Sequence, residues 1–392
     1  MDNKLKRGLL LVGLILLIIG GTIYHERQKY AVQTQQTQQK MKQLQQQLQA
    51  TKLELAIQKA KSHEAGIDDR TINHLSAKEQ QFVQQLLHDN SFSGTILIVR
   101  RNHVLFQGGR GYANFATKQL NSPQTTYQIA SIQKSLTAAL LMKQVQAGNI
   151  DLATPLSRYY PQIKEADQIT LKMMVDMRSG LTELSAPEKE LSDQARIQYA
   201  LDHLAVKDIG QHNYSPVNYL LLAGILEQVT HKSYRELVGN QLIIPFKLTS
   251  FNFMPNETTG QQATAYGYQQ DGYGTPVSEP SYVYMRELGT GNMYATTSSL
   301  FRTEQAIVQG KVFKKSLLKT LRSSTTGEYT GGVYNYKDYF TSHGVESGFE
   351  SSLQMSQDGR SGIVLLSNQY KANPSIGLLT NQLYKQLITL NR

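Results

Sequence analysis

The chain begins with a short polar cap and then an uncharged, almost wholly apolar run from Gly8 to Ile23, closed by Tyr24, His25, Glu26 and Arg27. The run is a little shorter than the roughly 20 residues of a typical spanning helix. Tyr24 suits the headgroup level, however, and the flanking Lys4, Lys6, Arg7 and Arg27 can snorkel. The basic cluster ahead of it predicts a cytoplasmic N-terminus and an external remainder, so residues 1–29 read as a tail and transmembrane anchor. A cleaved leader would need small residues just beyond the apolar stretch, and Thr22, Ile23, Tyr24 and His25 do not supply them. Residues 30–72 follow as a Gln/Lys-rich helical stalk, free of Gly and Pro from 30 to 62. Met41, Leu44, Leu48 and Leu55 begin a seam that Thr51 and Gln58 interrupt, which predicts a solvated spacer rather than a coiled coil.

From about Asn73 the pattern mixes strand and helix periods and predicts one domain, residues 73–392. Thr95-Ile96-Leu97-Ile98-Val99, a turn at Arg101-Asn102 and the return Val104-Leu105-Phe106 form a β-hairpin. Near the other end, Ser351 to Met355, a Gln357-Asp358-Gly359 turn and Gly362 to Leu366 form a second, followed by an amphipathic helix over 374–390. The middle reads as helical. A sheet built from both chain ends with a helical insert predicts an α+β, or mixed α/β, fold with an antiparallel sheet.

Composition narrows the chemistry. The 40% hydrophobic and 18% charged residues fit a packed globular domain and exclude wholesale disorder. With no Cys, disulfides, thiol nucleophiles and iron–sulfur clusters are excluded, so any nucleophile is an oxygen or an amine. The closest pair of the nine His, His203 and His212, lacks the spacing of a zinc site, and no metal is expected. The excess of 40 Lys and Arg over 30 Asp and Glu gives +10 and favours an anionic partner. No basic block or nucleic-acid motif accompanies it, so an envelope polymer or membrane surface fits better than nucleic acid.

Ser131-Ile132-Gln133-Lys134 opens a stretch with apolar period Leu136, Leu140, Leu141 and Val145. On a helix the Ser131 hydroxyl and the Lys134 amine share a face. A serine hydroxyl becomes a useful nucleophile when a neighbouring base takes its proton, and a lysine amine can do that. The spacing alone is equally that of a helix cap with an exposed Lys.

Together with Tyr214-Ser215-Pro216 and Ser342-His343-Gly344-Val345-Glu346-Ser347-Gly348-Phe349, in that order, this motif resembles the serine β-lactamase-like and penicillin-binding proteins. The similarity runs from roughly Phe92 to Gln382 and is to the branch of class C β-lactamases and D-alanyl-D-alanine carboxypeptidases. Ile169 to Leu181 and Asn218 to Gly224 resemble that family's flanking segments. The resemblance implies Ser131 as nucleophile, with Lys134 and Tyr214 handling its proton. It also implies His343 and Gly344 as substrate-contacting strand residues, and the backbone amides of Ser131 and Glu346 as the oxyanion hole. Two positions depart from the pattern: Pro216 stands where the family has an amide-binding Asn, and Val345 where it has a Gly, which predicts a narrowed groove. Gly289 to Thr296 resembles a conformationally special loop and is assigned no chemistry.

The resemblance therefore implies cofactor-free hydrolytic acyl transfer at D-alanyl bonds of the cell envelope. With Pro216 weakening peptide recognition, the first reading is a D-alanyl esterase on teichoic acid or lipoteichoic acid. The second is a D-alanyl-D-alanine carboxypeptidase on peptidoglycan, and the third a non-catalytic wall-binding scaffold. The oligomeric state stays open.

Overall fold

The computed structural model describes residues 67–248, 250–254 and 262–390, with helical residues interspersed between 20 and 55. The chain divides into two compact units, Met1–Ala56 and Ile57–Arg392. The expected anchor over 8–23 lies almost wholly outside the described residues, among which no helix is long and apolar enough to cross a membrane. In the first unit the described residues are helical, and Met41, Leu44, Leu48 and Leu55 are all exposed.

The second unit begins its regular structure with β1 (Ile72–Asn73), α1 (Ala77–Asp89), β2 (Gly94–Arg100) and β3 (His103–Arg110). The helical middle holds α2 (Gln133–Gln146), α3 (Val217–Thr230) and α4 (Thr297–Val308). The chain then returns through β4 (Thr326–Thr330), β5 (Val333–Tyr336), β6 (Tyr339–Glu346), β7 (Phe349–Ser356), β8 (Gly362–Ser367) and α5 (Ile376–Tyr384). Among the described residues these strands form an eight-stranded antiparallel sheet in the order β1-β3-β2-β8-β7-β6-β5-β4. The β2–β8 pairing, with Ile96 opposite Leu365 and Leu97 opposite Val364, joins the two chain ends as the hairpin pattern predicts.

Strand alternation sets what each face covers. Ile96, Ile98, Ile363 and Leu365 point toward α1 and α5, where they pack with Val83, Leu87, Leu379 and Leu383. Leu97, Val364 and Leu366 point the other way, toward the helical middle, and a Cβ on Gly362 would come within 3.0 Å of Phe301 on α4. Because both faces are covered, β2 and β8 are buried almost throughout, and each large apolar side chain contributes about 1.5–3 kcal/mol. α3 is apolar around its circumference for the same reason: its residues from Val217 to Leu226 are buried.

One buried acid gives the domain a pH response. Glu227 near the end of α3 has its carboxyl pushed up to about 7, first by burial, then by the charges of Asp193 and Glu236, against a 2.7 Å hydrogen bond from the Tyr234 amide. Folded protein therefore holds this proton between the ordinary carboxyl range and about pH 7 while unfolded chain has released it. Stability from this group falls as pH rises through that window. Glu227→Gln keeps an acceptor for Tyr234 and is expected to raise the melting temperature by a few degrees at pH 8, with little change at pH 5, read by a thermal-melt series.

Candidate active site

Ser131 sits in a 3-10 turn, Ala130–Ile132, that feeds α2. Ala130 just ahead of it has φ of +47°, a left-handed conformation that a side chain adopts at a cost of about 1–3 kcal/mol when the surroundings fix it. One turn along, Lys134 is 1% exposed, and its Nζ donates to Ser131 Oγ at 2.9 Å and to the Thr290 carbonyl at 3.0 Å. Burial makes those partners necessary, since a buried polar group without hydrogen bonds is costly. The amine also lies 5.2 Å from the centroid of the Tyr214 ring, so the structure brings together Ser131, Lys134 and Tyr214 as the motifs predict.

Tyr214 stands just ahead of α3, partly exposed, with its ring edge-on to Tyr329 at 5.4 Å. Pro216 caps α3 with φ of −55°, where a missing N–H costs nothing. The next amide side chain, Asn218, is turned inward: it accepts from Ser179 Oγ at 2.5 Å and donates to the Ser215 carbonyl at 3.0 Å. Asn213, on the other side of Tyr214, lines the same cleft as Pro216, with its Nδ2 3.4 Å from Thr182 Oγ1.

The strand register revises the third motif. Gly344 pairs with Ser351, and a Cβ on Gly344 would lie 2.6 Å from the Ile129 carbonyl oxygen and 2.8 Å from the Ser131 nitrogen, so β6 presses its backbone onto the nucleophile's turn at that glycine. Ser342 and Glu346 share its face. His343 and Val345 face the opposite way, on the side of Leu365 and α5, where His343 Nε2 lies 2.8 Å from the buried carboxylate Glu350 Oε1. The same Glu350 oxygen accepts from the Ile376 amide at the start of α5. His343 is thus held away from Ser131, and Val345 does not narrow the groove, because strand side chains alternate and the close-approach glycine is Gly344. The Glu346 amide expected at the oxyanion hole belongs to a residue about 6–7 Å further along the strand from this contact. Gly344→Ala is expected to lower kcat/KM about 100-fold or more by forcing β6 off the Ser131 turn, measured with any activated ester the wild type turns over.

Beside Tyr214 and Thr290 opens a cleft of about 280 Å³, whose lining includes Glu183, Arg196, Pro216, Arg286 and Glu287. Arg196 is 4% exposed and is bound bidentately by Glu183, at 2.7 Å for each contact, while its Nε donates to the Arg286 carbonyl. Arg286 itself lies 3.9 Å from Glu287. Glu346 faces the same region: burial first, then the Glu287 charge, pushes its carboxyl up to about 7, with Arg286 and Lys134 pulling it down.

Comparison with known proteins matches residues 80–382 to the Beta-lactamase family. The chain belongs to the β-lactamase family. Its relatives there include the penicillin-binding protein PbpX of Bacillus subtilis (strain 168), 25% identical over 97% of this chain and 95% of that one. A teichoic acid D-alanine hydrolase of Staphylococcus aureus is 26% identical over 79% of this chain and 78% of its own. Among solved structures, FmtA from Staphylococcus aureus superposes with a TM-score of 0.74 at 22% identity, covering 86% of this chain and 94% of that one. D-amino acid amidase from Ochrobactrum anthropi SV3 gives 0.68 at 18%, covering 81% and 100%.

Within this family of serine hydrolases the arrangement is chemically legible. A hydroxyl bonded to a buried amine, on a turn held between a strand edge and a loop, can be acylated and deacylated without a cofactor. Sequence reasoning assigned no chemistry to the loop from Gly289 to Met293, yet it holds the whole turn. The carbonyls of Gly289, Thr290, Gly291 and Met293 accept from Thr137 Oγ1, Lys134 Nζ, Gln128 Nε2 and the Ile129 amide, respectively. Backbone acceptors leave no residue-type signal. The Gly289-Thr290-Gly291 run was the available clue, since a Cβ on Gly289 (φ +71°) would lie 2.7 Å from Ala223.

Proposed function

We propose that this protein is a membrane-anchored, extracellular serine esterase that releases D-alanine from the D-alanyl esters of teichoic or lipoteichoic acid. Ser131 Oγ attacks the ester carbonyl carbon while its proton passes to Lys134 Nζ. The oxyanion is held by the Ser131 amide and a backbone amide of the β6 edge beside Gly344. Collapse breaks the bond to the polymer oxygen, which leaves with the proton relayed through Lys134 and Tyr214, and D-alanyl-Ser131 remains. Water then attacks that ester, gives its proton back through the same groups, and frees D-alanine and Ser131.

The observation that carries the choice of substrate is that, among the described residues, the two arginines lining the cleft are each already paired with a carboxylate. A peptide ending in D-Ala-D-Ala brings a carboxylate. The site-facing positions of β6 are Ser342, Gly344 and Glu346, Arg196 is tied to Glu183, and Arg286 lies against Glu287. An alanyl ester brings no carboxylate and needs no side-chain amide where Pro216 stands. The teichoic acid D-alanine hydrolase relative supports the same reading. The apolar run 8–23 with its basic flank supports the anchored, external placement, and the +10 charge suits a polyanionic polymer.

The name of the Bacillus subtilis relative favours a second reading, a D-alanyl-D-alanine carboxypeptidase. D-Alanine release by the detergent-solubilised full chain from lipoteichoic acid and from a muropeptide ending in D-Ala-D-Ala separates the two. The esterase releases D-alanine from the first alone. Release from the muropeptide alone would overturn it in favour of the carboxypeptidase, and release from neither would favour a non-catalytic wall-binding role.

A further inference from the structure

The amine of a D-alanyl ester is free and cationic, whereas the amine of the penultimate D-alanine in a stem peptide is locked in an amide. That nitrogen sits about 2.5 Å from the acyl carbon by covalent geometry, so any group that reads it must border the nucleophile. We propose that Glu346 and Glu287 form the subsite that binds the α-ammonium of the acyl group and restricts the enzyme to aminoacyl esters; the inference rests on the esterase reading.

Three features place them there. Glu287 lines the cleft next to Tyr214, and its Oε2 accepts from Thr290 Oγ1 at 2.7 Å, while the carbonyl of the same Thr290 holds Lys134 Nζ. The loop is tight: a Cβ on Gly291 would lie 3.5 Å from Glu287 Oε2 and 3.4 Å from Ala130, the residue before the nucleophile. Glu346 comes from the other wall, two strand positions beyond Gly344 and on its face. Its carboxyl feels Glu287, Arg286, Lys134 and Glu279, and the Tyr284 hydroxyl in turn feels Glu346. The two carboxylates share the Arg286 guanidinium, 3.9 Å from Glu287, but still repel one another in a partly buried space, and an ammonium set between them relieves that repulsion. An N-acylated amine is neutral and larger and brings the two carboxylates no added positive charge, the situation in which a polar site rejects an analogue.

The test uses the full chain in detergent, with D-alanyl and N-acetyl-D-alanyl esters of one alcohol, and D-alaninamide as a third substrate that keeps the ammonium but replaces the ester. Wild type is expected to prefer the free-amine ester over its N-acetyl form by about 100-fold or more in kcat/KM. Glu346→Gln and Glu287→Gln each reduce that preference about tenfold or more, chiefly through KM for the free-amine ester. Melting temperatures report whether each variant is folded, and for a variant that is not, inhibition of wild type by ethylamine, strong for the free-amine ester, gives the same information. Cleavage of D-alaninamide faster than the ester confines the subsite to amides and overturns the ester restriction. If N-acetyl ester is cleaved as fast as free-amine ester, the esterase stands and the ammonium subsite falls. If neither ester is cleaved while D-Ala-D-Ala peptide is, both fall together.

Discussion

Ser131→Ala is expected to lower kcat/KM for D-alanyl ester hydrolysis by about 10³-fold or more, to the level set by binding and the oxyanion contacts alone. Lys134→Ala is expected to do nearly as much. The two side chains act as one unit, with Nζ 2.9 Å from Oγ, so the double variant should be little worse than either single one. Stopped assays of the purified full chain measure this. A Lys134→Ala enzyme within tenfold of wild type would assign the proton to another group, and Tyr214, with its ring 5.2 Å from the same amine, would be next in line.

The second large effect concerns stability. Behind α2, Glu304 on α4 is fully buried, accepts from Ser135 Oγ, and pairs with Arg322 at 3.2 Å; the side chain of Arg322 is 3% exposed and lies over the Phe340 ring at 4.3 Å. Arg322→Ala strands the Glu304 carboxylate in the core and is expected to destabilise the domain by about 3–5 kcal/mol. Replacing both partners, as Glu304→Leu with Arg322→Met, should recover much of that loss, because the isolated charge rather than the missing bond carries the penalty. Denaturant unfolding of the wild type and these two variants decides it. A double variant less stable than Arg322→Ala would show that the pair contributes net stability. Since Ser135 follows Lys134 directly, the single variant should also lose activity before it unfolds.

Much of this architecture was legible from side-chain period. The Thr95–Val99 and Gly362–Leu366 runs read as strands because they are β-branched and bounded by turns, and they are neighbours in the sheet. Ser131 and Lys134 were legible because the helical period fixes their distance. His343 was not, for the converse reason: motif letters do not state strand phase, and a one-residue difference in phase moves every side chain to the other face. Only the packing of Gly344 on Ser131 sets that phase. The Thr290 carbonyl was equally hidden, since its partner Lys134 is 156 residues away in sequence and a backbone acceptor carries no signature. The anchor reading rests on the apolar run 8–23 and its basic flank.

The central claim is that D-alanine passes through an ester on Ser131. The direct measurement is a rapid acid quench of full chain mixed with D-alanylated lipoteichoic acid, followed by peptide mapping by mass spectrometry. A single alanyl adduct is expected on the peptide containing Ser131, absent from Ser131→Ala and from a reaction with de-alanylated polymer. D-Alanine release with the adduct on another residue, or release that persists undiminished in Ser131→Ala, would contradict the account.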